Sequence, residues 1–151
     1  EHDAFWRTGT DGQEQAYGAF NASLRDWARL GLLLANDGQV LGPEGPHPLL
    51  PREFLLDATD AARQAPAFRP RRATPYFGYG YQFWLFPMQE RSFALQGIHG
   101  QGVFVQPASG IVLVLTSVWE SASGRQNPQP SEERDALWRG VLTSLGGNTR
   151  E

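Results

Sequence analysis

Lysine is absent from this sequence of 151 residues, so all 13 of its basic residues are arginines. Without lysine the chain cannot form the Gly-Lys-Ser/Thr loop that binds nucleotide phosphates. It also lacks the amine that serves as a base beside the serine nucleophile of some enzymes. Cysteine is absent as well, which excludes disulfides and thiolate metal sites but does not identify a cellular compartment.

Long apolar runs and an excess of positive charge are also missing. No apolar run reaches roughly 18 residues, so we expect no membrane-spanning helix and no membrane partner. The formal net charge is −3 and the isoelectric point is about 5.6, which argues against a nucleic-acid partner, because nucleic-acid binders present a basic face. The three histidines, His2, His47 and His99, are far apart and form no metal-binding pair, so we expect neither a metal nor another cofactor.

Three segments have the pattern of helices. The first is capped by Ser23, carries apolar residues at helical spacing, and ends before Gly38. A short second helix is expected over residues 51–58, because proline favours the first helical position, and a third over residues 131–145. Residues 59–75 are expected to be irregular, and the arginines at 69, 71 and 72 form either a solvated loop or a contact with an anion.

Alternating and β-rich segments predict the sheet. The aromatic alternation over residues 76–88 predicts one strand, and residues 92–98, 102–106 and 111–118 predict three more. Residues 39–50, rich in glycine and proline, are expected to be a loop. The sequence therefore predicts one domain over residues 1–151 with an α+β fold, in which an antiparallel sheet of about four strands packs against N-terminal and C-terminal helices.

A glycine-rich turn joins two of these strands. Gly97, Gly100 and Gly102 surround Ile98 and His99 at this turn, and small residues there allow the backbone to approach another group closely. Enzymes that stabilise an oxyanion with backbone N–H groups need such an approach. The alternative is an ordinary turn or bulge, which is the usual meaning of glycine in a strand.

Three segments together resemble the serine β-lactamase-like hydrolases, and in particular the branch of 6-aminohexanoate-dimer hydrolases and related esterases, beside class C β-lactamases. Residues 18–31 (GAFNASLRDWARLG) are similar to a helix of this family, and residues 78–84 (GYGYQFW) to one of its strands. Residues 97–107 (GIHGQGVFVQP), followed by residues 111–116, are similar to its last active-site strand and the strands beside it. The resemblance covers about residues 1–145.

The resemblance implies only the C-terminal portion of such an enzyme. The Ser-x-x-Lys nucleophile motif and the motif with a catalytic tyrosine are missing, and the chain opens at Glu1 without an initiator methionine, so we expect an internal start. The full enzyme would hydrolyse a small-molecule ester or amide through an acyl-serine. The resemblance places Leu95 where the family has a lysine, which argues against anchoring the carboxylate of a β-lactam.

The resemblance also implies the site residues. The backbone of Gly97 and Ile98 would form the oxyanion hole, with the Ile98 N–H as donor. Substrate contacts would come from Gln96, His99, Trp84 and Asn21. Three of these residues have a structural alternative: His99 as a hydrogen-bonded structural histidine, Trp84 as a core aromatic, and Asn21 as a contact with the local backbone.

The sequence also allows a second interpretation, in which the chain is not part of an enzyme. The chain could instead be a non-catalytic binding or assembly module that retains the scaffold, in which case the natural protein would begin near Glu1.

In the resembling fold, residues 111–118 pair on one side with a strand from the N-terminal part. Without that partner they form an uncharged apolar edge, so self-association through strand 111–118 is expected.

Overall fold

The computed structural model of the chain describes residues 3–15 and 18–151. Its three helices are α1 (Leu24–Ala35), α2 (Arg52–Thr59) and α3 (Gln129–Leu145). The main sheet contains β5 (Gly78–Gly80), β6 (Phe83–Leu85), β7 (Phe93–Gln96), β8 (Gly102–Gln106) and β9 (Ile111–Leu115), whereas the small pairs are β1 (Phe5–Trp6) with β2 (Phe20–Asn21) and β3 (Gln39–Gly42) with β4 (Gly45–Pro48). The predicted α+β fold with an antiparallel sheet is confirmed, with five strands in the order β5-β6-β7-β8-β9.

Helices α1 and α2 cover one face of the main sheet. Side chains from both helices and from alternate strand positions form one buried cluster: Leu34, Ala35, Leu55, Leu85, Phe93, Val103 and Val105. The closest approach is at Gly31, where an added Cβ would lie 2.4 Å from Cγ1 of Val112. Glycine at this position therefore lets α1 pack directly on β9.

Helix α3 covers the opposite face. A second buried cluster joins Trp138 and Leu142 of α3 to Ala94, Phe104 and Ile111 of the sheet, with Phe86 beside them. The Trp138 and Phe104 rings lie 5.7 Å apart. Because side chains alternate along a strand, the residues that follow or precede those of the α1 cluster face α3.

The aromatic segment of residues 76–88 is two strands rather than the predicted one. Tyr81 and Gln82 have φ angles of 43° and 73° and form a two-residue turn between β5 and β6. Hairpin turns of this kind require left-handed backbone at both positions and usually contain asparagine and glycine. Here the turn residues continue the aromatic and polar alternation, so the sequence pattern concealed the turn.

Residues 39–50 contain a hairpin rather than the predicted loop. Strand β3 pairs with β4 over four residues on each side, with Gly42 opposite Gly45. Gly45 has a φ of 104°, which suits glycine in a tight turn. Prolines at positions 46 and 48 suggested a loop, but an edge strand tolerates proline because its outward N–H groups are not needed.

The other predicted boundaries agree with the structure to within a few residues. Ser23 caps α1 by accepting a hydrogen bond from the Asp26 N–H at 3.2 Å, and Gly146 ends α3 in the left-handed conformation. The strand predicted over residues 92–98 ends at Gln96, because the chain turns at His99, and the one predicted over residues 111–118 ends at Leu115. Within the described ranges, no helix is both long and apolar enough to cross a membrane.

Strand β9 lies at one edge of the main sheet. It pairs only with β8 in this sheet. Between β7 and β8, the Gly97 N–H donates to the Gln101 carbonyl. Because bonded positions alternate along antiparallel strands, every second residue of β8 bonds to β7 and the residues between them bond to β9. The N–H and C=O groups of Val112 and Val114 therefore point away from β8.

Candidate functional site

The predicted oxyanion segment lies where β7 ends and the chain turns into β8. Gly97 is extended, with φ −99° and ψ 170°, and its N–H donates to the Gln101 carbonyl at 2.9 Å. This N–H is therefore already used by the turn. Of the two backbone N–H groups in the predicted oxyanion hole, only that of Ile98 has no partner within the described part of the chain.

Ile98 is exposed at the start of the turn. The residue is 64% exposed, and its N–H has no hydrogen-bond partner among residues 3–15 and 18–151. A backbone donor that is fixed at the end of a buried strand and has no internal acceptor can bond to water or to a ligand. Oxyanion holes are built from donors of this kind.

His99 fastens the turn to the segment after β9. It has left-handed backbone, with φ 57° and ψ 26°. Its Nδ1 lies 2.8 Å from the Trp119 carbonyl, and its backbone N–H donates to the Ala122 carbonyl at 3.0 Å. Because a carbonyl only accepts, Nδ1 carries the proton and Nε2 of the neutral ring is an acceptor. His99 thus has the structural role that the sequence left open, and Nε2 remains for a further contact.

Trp119 packs directly on the turn, which the sequence did not predict. Gly100 has a φ of 83°, and an added Cβ there would lie 2.2 Å from Cε2 of Trp119. The buried Arg134 guanidinium lies 5.6 Å from the Trp119 ring and 5.7 Å from the Phe104 ring. An isolated tryptophan in a polar linker was the only sequence signal for this contact.

Arg134 is neutralised by its neighbour on α3. Its guanidinium donates to Asp135 from Nε at 3.0 Å and lies 2.9 Å away through a second nitrogen. Burial raises the pKa of the Asp135 carboxyl, and Arg134 opposes this shift. The pair therefore supports the Trp119 ring without leaving an unpaired charge under the turn.

Gln96 faces α3 at the end of β7. It lies opposite Gly102, and the preceding residue, Leu95, packs against the α1 cluster on the other face. Its Nε2 is buried and has no hydrogen-bond partner among the described residues. A buried amide without a partner is destabilising by about 1–3 kcal/mol, so the fold leaves one donor of Gln96 unsatisfied at the end of β7.

Trp84 lies on the same face as Gln96. It is half-buried and lies opposite Ala94. Ala94 is two residues before Gln96 in β7, so the Trp84 and Gln96 side chains are on one face of the sheet. Its ring packs edge-on against Tyr79 at 4.9 Å and Phe77 at 5.9 Å. Trp84 therefore belongs to an aromatic layer at the edge of the sheet, in agreement with the structural alternative, and shares a face with Gln96.

Asn21 bonds through its side chain to the backbone of its own segment. It lies in β2, and its side chain donates to the Ala19 carbonyl at 2.8 Å. Helix α1, which follows, packs on the face of the sheet opposite to that of Gln96 and Trp84. The structure therefore brings Gln96, Gly97, Ile98 and His99 together by chain connectivity, and it gives Asn21 a local backbone contact.

Two of the cavities on the surface of the described residues differ in their position relative to the predicted site. The larger, about 380 Å³, includes Thr59, Phe86, Arg91 and Ser92 in its wall and none of the predicted site residues. The smaller, about 210 Å³, is lined by Trp119, Arg134 and Leu115 among others. Because Trp119 also holds the His99 turn, the smaller cavity adjoins the predicted site.

Comparisons with known proteins and a search for metal ligands add no assignment. Within residues 3–15 and 18–151, no group of three or more histidine, cysteine or acidic side chains is placed to hold a metal. No protein-family model matches the chain, and no curated protein matches it.

Proposed function

We propose that this chain is the C-terminal portion of a serine hydrolase that cleaves ester or amide bonds. The observation that carries the proposal is the Ile98 N–H, which belongs to an exposed residue at the turn and has no hydrogen-bond partner within the described residues. It stands beside the segments that resemble the last active-site strand of β-lactamase-like hydrolases. The serine, lysine and tyrosine would come from residues outside this sequence, which contains no lysine.

The proposed role of the chain is to stabilise charge during acyl transfer. The serine oxygen attacks the substrate carbonyl carbon, and the carbonyl oxygen becomes an oxyanion. The Ile98 N–H donates to this oxyanion, and the N–H of the serine itself donates the second hydrogen bond. The intermediate then releases the alcohol or amine, and water hydrolyses the acyl-serine.

Side chains beside Ile98 would hold the substrate. Gln96 offers an unpaired amide donor, and Nε2 of His99 offers an acceptor while its Nδ1 is engaged. Trp84 would supply an apolar wall on the same face of the sheet. Asn21 stays a prediction from the resemblance, because its side chain contacts Ala19.

The proposal is tested by removing the Ile98 N–H in the complete enzyme. Proline at this position deletes the donor but breaks no internal hydrogen bond, because the Ile98 N–H has no partner within the described residues. The extended Gly97 backbone suits a residue before proline. We expect Ile98→Pro to lower kcat by about 100- to 1,000-fold, and Ile98→Val to change it by less than about threefold, since Val keeps the N–H.

Circular dichroism and thermal unfolding provide the control for this pair. Both variants should unfold within a few degrees of the parent protein. Equal turnover in two folded variants would remove Ile98 from the proposed mechanism.

A binding or assembly module is the second candidate, and the open edge of β9 favours it. The outward N–H and C=O groups of Val112 and Val114 offer a partner strand main-chain hydrogen bonds. The two candidates differ in the natural reading frame. An upstream Ser-x-x-Lys followed by a Tyr-x-Asn or Tyr-x-Ser supports the enzyme, whereas a natural start near Glu1 supports the module.

A further inference from the structure

The residues after α3 return across the molecule and are held by backbone contacts. Gln106 is fully buried in β8. Its side-chain amide donates to the Asn148 carbonyl at 2.8 Å and accepts from the Asn148 N–H at 2.9 Å. The Gln89 N–H donates to the Arg150 carbonyl at 2.8 Å. These contacts fix the backbone that leads to Glu151.

Three side chains from separate parts of the chain converge on the Glu151 carboxylate. Arg71, in the irregular segment before β5, forms an ion pair with one carboxylate oxygen. Arg139 of α3 forms an ion pair with the other oxygen, and the Tyr76 hydroxyl donates to that same oxygen at 3.2 Å. Arg139 also donates to the Tyr76 hydroxyl oxygen, so the three donors form one connected network.

We propose that Arg71, Tyr76 and Arg139 form a carboxylate-binding site, here called the carboxylate cradle, and that the Glu151 side chain is its ligand within the same chain. The site takes a monocarboxylate of the size of a glutamate side chain. Two guanidinium groups and a hydroxyl around one carboxylate provide charge-assisted hydrogen bonds, which a neutral amide cannot match.

Charge in the cradle agrees with this assignment. The hydrogen bond from Arg139, reinforced by those from Tyr76 and Arg71, lowers the pKa of Glu151, so the ligand is an anion at neutral pH. Burial raises the pKa of Tyr76 to about 12, so its hydroxyl keeps the proton that it donates.

Packing contacts that do not involve Glu151 hold two of the donors. The Tyr76 ring packs edge-on against Phe77 at 4.8 Å and Phe86 at 6.2 Å, within the cluster beneath α3. The Arg139 guanidinium lies 5.6 Å from the centre of the Tyr76 ring. A site whose donors are held by packing loses little conformational freedom when a ligand enters, so the cradle can accept an external carboxylate.

The test removes the internal ligand from the 151-residue chain and supplies an external one. Glu151→Ala keeps the backbone contacts of Asn148 and Arg150 and leaves space for propionate, whose carboxylate replaces that of Glu151. We expect propionate to shift the NMR signals of the Tyr76 ring and the Arg139 side chain in a saturable titration. Propionamide and chloride at matched ionic strength should produce shifts at least tenfold smaller.

Three matched variants complete the experiment. The parent chain should bind propionate at least tenfold more weakly than Glu151→Ala, because its own carboxylate fills the cradle. Glu151→Gln should have an intermediate propionate affinity, because its amide occupies the space without charge-assisted hydrogen bonds. Glu151→Ala combined with Arg139→Gln should lose the preference for propionate over propionamide, whereas combination with Arg125→Gln, which is outside the cradle, should retain it. Equal shifts with propionate and propionamide, or the same propionate affinity in all variants, would overturn the proposal.

Discussion

Gly100 is the residue on which the geometry of the predicted oxyanion turn depends most. Its left-handed φ of 83° is joined to a steric constraint, because a Cβ would lie 2.2 Å from Cε2 of Trp119. Displacing Trp119 would also disturb the His99 contact with the Trp119 carbonyl. A methyl group at Gly100 would therefore disturb both the position of the Trp119 ring and the hydrogen bond of His99.

Alanine at Gly100 and at Gly110 separates the two effects. Gly110 also has a left-handed φ, 67°, but an added Cβ there meets nothing within 4 Å. We expect Gly110→Ala to lower the free energy of unfolding by about 1–2 kcal/mol from backbone strain alone. Gly100→Ala should lower it by about 1–3 kcal/mol more, from overpacking. Chemical denaturation measures both values, and equal losses would mean that Trp119 does not constrain the turn.

Sequence reasoning at the residue scale predicted positions better than contacts. Ser23 and Gly146 carry local signals, since a side-chain cap and a left-handed glycine are properties of a few neighbouring residues. The Trp119 contact with Gly100 and the Glu151 contact with Arg71 join residues that are far apart along the chain. No local pattern specifies such pairs, because they depend on how the elements pack.

The packing of helix α1 on the sheet depends on a glycine. Gly31 and Gly140 both lie inside helices, but only Gly31 faces the sheet, where a Cβ would lie 2.4 Å from Val112 and 3.2 Å from Val103. A Cβ at Gly140 meets nothing within 4 Å. The same substitution should therefore have opposite effects in the two helices.

We expect Gly140→Ala to raise the free energy of unfolding by about 0.5–1 kcal/mol, because alanine favours the helix. Gly31→Ala gains the same propensity, but overpacking of about 1–3 kcal/mol exceeds it, so the protein should be destabilised. Thermal unfolding of the two variants checks the signs. Stabilisation by both substitutions would show that α1 can move away from β9 without loss.

The strands explain where sequence patterns fail at the element scale. Strand β8 was predicted with its observed bounds, because glycine and proline mark both of its ends. The hairpin of β5 and β6 was missed, because Tyr81 and Gln82 adopt left-handed backbone that their side chains do not favour. Packing of the Tyr81 ring 5.8 Å from Phe54 of α2 accompanies this conformation, and such tertiary contacts are invisible in a local window.

The edge of the main sheet determines how whole molecules should behave in solution. Strand β9 has an apolar, uncharged sequence, and the backbone groups of Val112 and Val114 point away from β8. We propose that chains associate through this edge. Sedimentation over a concentration series should show self-association, and the amides of Val112 and Val114 should become protected from hydrogen exchange as the concentration rises.

A monomer at all concentrations, with rapid exchange at those two amides, would contradict this expectation. Protection of amides elsewhere with no change at Val112 and Val114 would place the association at another surface. The amides of Ile111 and Leu113, which point toward β8, provide the internal reference because they are protected in either case.

We propose that the catalytic serine and its base lie outside this chain, which contributes the Ile98 N–H. A reactive fluorophosphonate, followed by mass spectrometry of the intact protein and its peptides, tests the claim with two samples. The 151-residue chain should keep its mass, because a serine hydroxyl without a base is a weak nucleophile. The protein encoded by the complete reading frame should gain one label, on the serine of an upstream Ser-x-x-Lys. Stoichiometric labelling of a serine within this chain, or an unlabelled complete protein, would contradict the account.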